Sequence, residues 1–161
     1  MDTVALMLAT GLSVGVALLV TDAEGDCVAA SEADCEPLAL TDALAFLFDR
    51  TEFAAEKALA WSERKGEFVK RAGFATMAGM AIHRKELPDD VFLRFLPVIT
   101  REATDERNFV KKAVNWALRQ IGKRNPALRR AAIAEAKRIA TMDSRAARWI
   151  AADARRELGS L

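Results

Sequence analysis

One feature constrains this chain more than any other: it repeats itself. The segment "EFVKRAGFATMAGMA" at 67–81 lines up with "NFVKKAVNWALRQIG" at 108–122, an offset of 41 residues. A weaker echo sets Lys112–Trp116 against Arg145–Trp149 at an offset of 33 residues. Each copy carries apolar side chains at helical spacing, and a single copy cannot bury that stripe alone. Copies must therefore stack. A repeat of this length accommodates a helix, a turn and a second helix. The expected fold class is all-α, an α-solenoid of antiparallel helix pairs with a concave basic face.

Helix pairs recurring at this spacing mark HEAT-like and related solenoids. Composition agrees: Ala, Leu, Arg and Glu dominate, Tyr is absent, and there are only 8 Gly and 4 Pro. Caps and breakers predict the helices. Thr41 and Asp42 offer N-cap chemistry for Ala43–Phe48, and Thr51 offers it for a helix to about Arg64. Further helices are expected at Glu67–His83, Asp89–Thr100 and Asp105–Gly122. Asn125-Pro126 starts one to Thr141, and Asp143 or Ser144 starts the last, to Leu158. Residues 41–161 thus read as the helical repeat domain, and 1–40 as a separate N-terminal segment.

That segment begins with Val4–Val20, 17 residues without a charge. This is at the short limit for a bilayer span, and Asp2 stands where a signal sequence would place basic residues. A buried helix is the expectation, with a membrane anchor as the alternative. Thr21–Pro37 is acidic and turn-rich. Cys27 and Cys35, with one His, fit no metal motif, so neither a metal nor another cofactor is expected and the cytoplasm is the expected compartment.

Charge is divided unevenly. Residues 1–58 hold 11 acidic and 2 basic side chains, whereas 59–161 hold 12 acidic and 22 basic. A basic C-terminal half points to a polyanion, with nucleic acid first. Ordinary solvated helix faces are the alternative.

The helix around 109–122 sharpens this. At about 100° per residue, Phe109, Val110, Ala113, Val114, Ala117, Leu118 and Ile121 share one apolar arc. Lys112, Trp116 and Arg119 fall together beyond its edge, within roughly 60° of one another. Trp116 is then either core rim or an exposed aromatic between two cations, suited to a sugar or base beside phosphates. Arg71 occupies the position of Lys112 in the preceding repeat, which sets cations in register on successive repeats.

The segments "EFVKRAGFA", "REATDERNFVKKAVNWALRQIGKRNP" and "SRAARWIAADARREL" resemble the AlkD-like DNA alkylation repair proteins, HEAT-like-repeat DNA glycosylases. The likeness covers about Ala43–Leu158. It implies a protein that binds duplex DNA with alkylated bases and excises cationic purines such as 3-methyladenine and 7-methylguanine; a monomer is the expected state. It also implies roles. Trp116 matches an aromatic of the family's catalytic cleft, and Arg71 an arginine that contacts DNA there. Lys112 and Arg119, on the helix of Trp116, would face phosphates. In "PLALTDALAFLFDRTEFA", Asp42 falls on the catalytic aspartate of a "SWDxxD"-like segment. Leu38 stands where the family has a second Trp, and family members are longer by several N-terminal helices. The alternative function is a HEAT-like module that binds nucleic acid or protein without catalysis.

Other residues have plainer readings. Asp42 is also a candidate N-cap. Trp61 and Trp149 are expected to pack in the core or between repeats. Arg148, with Arg145, Arg155 and Arg156, would either extend a DNA-binding groove or solvate the last helix. His83 reads as a helix-end dipole contact.

Overall fold

The computed structural model describes residues 37–160. The expectations for Val4–Val20, Cys27, Cys35 and the side chain of Leu38 lie outside the described residues. Seven helices follow in order: α1 Pro37–Phe48, α2 Ala54–Ser62, α3 Glu67–His83, α4 Asp89–Glu102, α5 Asn108–Lys123, α6 Pro126–Ala140 and α7 Arg145–Gly159. No strand occurs among the described residues. None of these helices is long and apolar enough to cross a membrane.

The helices stack in two rows. The odd-numbered helices α1, α3, α5 and α7 lie side by side, and α2, α4 and α6 form the second row. Within a row, neighbours run the same way. Starts meet starts, as where Arg71, early in α3, bonds the Phe109 carbonyl in the first turn of α5, and ends meet ends, as where Arg124, just past α5, bonds the Ala81 carbonyl of α3. This is the solenoid-like, all-α arrangement that the repeat implied.

Helix α3 is the centre of the stack, touching α1, α2 and α5. Every residue from Arg71 to Ala81 is buried, which explains a sequence of Ala, Gly, Met and Phe with little amphipathic contrast. Gly73 is required there. A Cβ on it would lie 2.6 Å from the Ser62 nitrogen and 2.8 Å from the Ala58 carbonyl oxygen, both backbone atoms of α2. The predicted apolar arc of α5 is the core, with Val110, Ala113, Val114, Ala117, Leu118 and Ile121 fully buried. Phe109 lies at the margin against Phe68.

Several boundaries differ from the sequence reading. Helix α1 begins at Pro37, so Thr41 and Asp42 sit inside it and neither is its N-cap. Thr51 caps the other way: its hydroxyl donates to the Phe48 carbonyl at 2.8 Å, closing α1, and α2 starts only at Ala54. Helix α5 starts at Asn108, because Asp105 folds back to accept from the Arg107 backbone N–H at 3.0 Å and holds 105–107 in a turn. Asn125 and Ser144 cap α6 and α7 as their chemistry predicts.

Candidate functional site

The site grows from one guanidinium. Arg71 lies early in the buried helix α3, and its side chain is only 8% exposed. Its Nη2 donates to both carboxylate oxygens of Asp42 on α1, at 2.7 and 3.0 Å. Its Nη1 donates to the Phe109 carbonyl in the first turn of α5 at 3.1 Å. One side chain therefore joins three neighbouring helices of the odd row. Asp42 is 31% exposed. A carboxylate offers about four lone-pair directions, and Arg71 uses two, so the outward ones stay open to water or a ligand.

One turn further along α1, Phe46 shares the stripe of Asp42. It meets Trp116 of α5 edge to face, with ring centroids 5.9 Å apart, and His83 at the end of α3 at 5.6 Å. Trp116 packs part of its surface against the core and presents the rest beside Phe46. Helix α1 thus places a carboxylate and then an aromatic along one line, and α3 and α5 supply their partners. Asp42, Arg71 and Trp116, far apart in sequence, come together here. Phe46 was not anticipated. Its only sequence signal is its place four residues after Asp42.

The cations expected in register divide into different environments. Arg71 is buried on Asp42. Lys112 is exposed, with no hydrogen bond or ion pair within the described residues. Arg119 turns toward α7, where it bonds Glu157 and lies 3.6 Å from Asp153. Lys123 also bonds Glu157, and Asn115 donates to Asp153 at 2.7 Å. Asn115, Arg119 and Lys123 follow one another at four-residue spacing, so they form a polar seam along α5 against Asp153 and Glu157. The hydrogen bond from Lys123, joined by Arg119, holds the Glu157 carboxyl below its ordinary value despite some burial. Arg148 lies on the exposed face of α7, 3.3 Å from Asp143.

Two tryptophan expectations also resolve. Trp61 packs as anticipated, edge to face on Phe48 at 5.1 Å. Trp149 does not. It is 43% exposed, with Lys111 Nζ 5.9 Å from its ring centre. Residues facing across α5 and α7 differ by 38 in number, as in Asn115–Asp153, rather than by the 33 of the sequence echo. Trp149 accordingly neighbours Lys111 and not Trp116. His83 also has a partner the sequence did not suggest: its Nδ1 lies 2.6 Å from Asp49 Oδ2. Among the described residues no cluster of three His, Cys, Asp or Glu side chains has the geometry to hold a metal ion.

A two-row helical stack whose odd row aligns a carboxylate, a buried guanidinium and an aromatic pair defines a helical-repeat protein with one composite site. Compared with known families, residues 34–158 match the family described as DNA alkylation repair enzyme. The match spans well over half of the chain, and the protein belongs to that family. Its role lies in DNA repair, and DNA is the partner that membership brings. No curated protein and no solved structure matches the chain.

Proposed function

We propose that the protein is a DNA glycosylase that releases cationic alkylated purines, of the 3-methyladenine and 7-methylguanine type, from duplex DNA. The observation that carries the reading is the carboxylate of Asp42, fixed by Arg71 with its outer lone pairs open, one helical turn from the edge-to-face pair Phe46–Trp116.

The chemistry asks little of the protein. A methylated purine already bears positive charge and leaves as a neutral base when its bond to C1′ breaks. The electron pair goes with the base, and positive charge develops on the sugar. A fixed carboxylate stabilises that oxocarbenium-like sugar and orients the water that adds to C1′. The water's second proton passes to solvent. Aromatic faces beside the sugar add cation–π stabilisation. In this reading Arg71 acts through Asp42, because its side chain is buried and its unpaired Nε lies out of reach of solvent. Lys112 is the open phosphate contact of α5, and Arg148 extends the contact along α7. Arg119 contributes least, because two carboxylates already occupy it.

The test is release of 7-methylguanine from methylated duplex DNA by the wild type and by Asp42→Asn, which keeps an acceptor for Arg71 and removes the charge. Release by the wild type that falls at least 100-fold in the variant supports the reading. Equal release by both refutes the role of Asp42.

A second reading is favoured by the same ion pair. Arg71 already neutralises Asp42, so the pair serves the fold without any substrate. On that basis the protein is a duplex-binding module of the repair family without excision. Salt-dependent binding of duplex DNA with no base released would establish it.

A further inference from the structure

We propose that His83 and Asp49 form a second subsite of this cleft, which takes a DNA backbone phosphate with uptake of one proton on the imidazole; it rests on the reading that duplex DNA lies along the Asp42–Trp116 line. Asp49 follows α1 and its side chain is fully buried. Its Oδ2 meets His83 Nδ1 at 2.6 Å, and its Oδ1 is buried without a hydrogen-bond partner. The space for this carboxylate exists because residue 79 is glycine. A Cβ there would stand 2.4 Å from Oδ2. Burying a carboxylate is costly unless it is hydrogen-bonded, and His83 Nδ1 is the partner that this one meets. The nearest fixed cation, Arg50, is 3.9 Å away on a largely exposed side chain.

An ionised Asp49 can only accept, so Nδ1 is the donor of this pair, and Nε2, the ring's other polar atom, has no hydrogen bond in the described residues. The imidazole is 31% exposed and is joined through Phe46 to Trp116, so it continues the same wall. With one proton on the ring, Nε2 only accepts hydrogen bonds, and so does a phosphate oxygen. Contact therefore needs a second proton, drawn from solvent. Asp49 on the opposite edge balances the charge this creates.

The charged residues that directly follow His83 are Arg84, Lys85 and Glu86, a net positive set. Arg84 donates to the Asp49 and Thr51 carbonyls and pairs with Glu86. Lys85 bonds the Ala81 carbonyl, and Arg124, just past α5, bonds the Ala81, Arg84, Lys85 and Leu87 carbonyls. Phe46 of α1 and Asp49, just past its end, meet the ring, and the uncharged Trp116 of α5 lies on the other side of Phe46. Distance excludes a shared catalytic role with Asp42. Asp49 lies seven positions beyond Asp42 along the line of α1, a rise of about 10 Å. That is too far for His83 to act on a water held at Asp42, yet it is within a few nucleotides of one strand.

His83 is the only histidine in the chain, so its imidazole gives a single set of NMR signals. An unmodified duplex is titrated into the full-length protein at pH 7, following the imidazole resonances, while affinity is measured from pH 6 to 8 for the wild type and His83→Gln. The expected result has two parts. The Nε2 nitrogen shifts to its protonated position on saturation with DNA. Wild-type affinity falls as pH rises, whereas the variant binds about tenfold more weakly at pH 6 with a flat profile. Imidazole signals that do not move at saturation, or a variant with the wild-type pH profile, would overturn the proposal. Base release is measured in parallel. A His83 response without excision removes the glycosylase reading and keeps the subsite, and excision with a silent His83 does the reverse.

Discussion

Replacing Asp42 tests the fold and the chemistry at once, and the structure separates the two. In Asp42→Ala, Arg71 Nη2 loses both its acceptors, the contacts at 2.7 and 3.0 Å. The guanidinium keeps only Nη1 to the Phe109 carbonyl, and its Nε is already without a partner. Leaving one member of a fully buried pair unmatched costs about 3–5 kcal/mol. Asp42 is about a third exposed, so water reaches the pair and the expected loss drops to about 2 kcal/mol. For a chain of this size that lowers Tm by about 4–8 °C. Asp42→Asn keeps its amide oxygen for Nη2 and should lose about half as much. Calorimetry or thermal melts followed by circular dichroism read both values. Excision is then compared well below both midpoints, so that any loss in the Asn variant reports charge and not unfolding. Should Asp42→Ala melt within about 1 °C of the wild type, the Arg71–Asp42 bond would not be a structural tie between α1 and α3, and the orientation argument for Asp42 would fail with it.

Three further outcomes are expected. Gly73→Ala drives a Cβ into the backbone of α2, which cannot rotate away, and should cost about 1–3 kcal/mol in urea unfolding; a neutral result would mean α2 and α3 do not pack as described. Glu157, held below its ordinary value of 4.5 by Lys123 and Arg119, contributes stability that is complete above that value and lost as pH falls through the lower folded one. Glu157→Gln should therefore be less stable than the wild type at neutral pH and lose less of its stability between roughly pH 5 and pH 3, as acid titrations of unfolding will show. Lys112→Ala should leave Tm unchanged and reduce the slope of log affinity against log salt by about 0.9, whereas Arg119→Ala should lower Tm and leave that slope intact. The opposite pattern would reverse the assignments of these two cations.

The chain by itself determined what is periodic or local. The 41-residue repeat implied stacked helix pairs because an unpaired apolar stripe has nowhere else to go. The arc from Val110 to Ile121 is the core of α5 because helical geometry alone fixes which side chains share a face. Asn125 and Ser144 cap helices because their side chains need only the next turn to bond. The tertiary structure decided everything that depends on which neighbour a polar group meets. Arg71 and Lys112 hold matching places in the repeat, yet one faces Asp42 of α1 in a buried stack and the other faces solvent. Arg119 shares a stripe with Trp116, but a stripe on a helix in the middle of a row has a different neighbour on each side. Trp116 meets Phe46, while Arg119 meets Glu157. His83 found Asp49 only because Gly79 leaves room between two helices 34 residues apart in the chain. Hydrogen bonds across such distances depend on packing register to within an ångström, and no spacing within one helix encodes that.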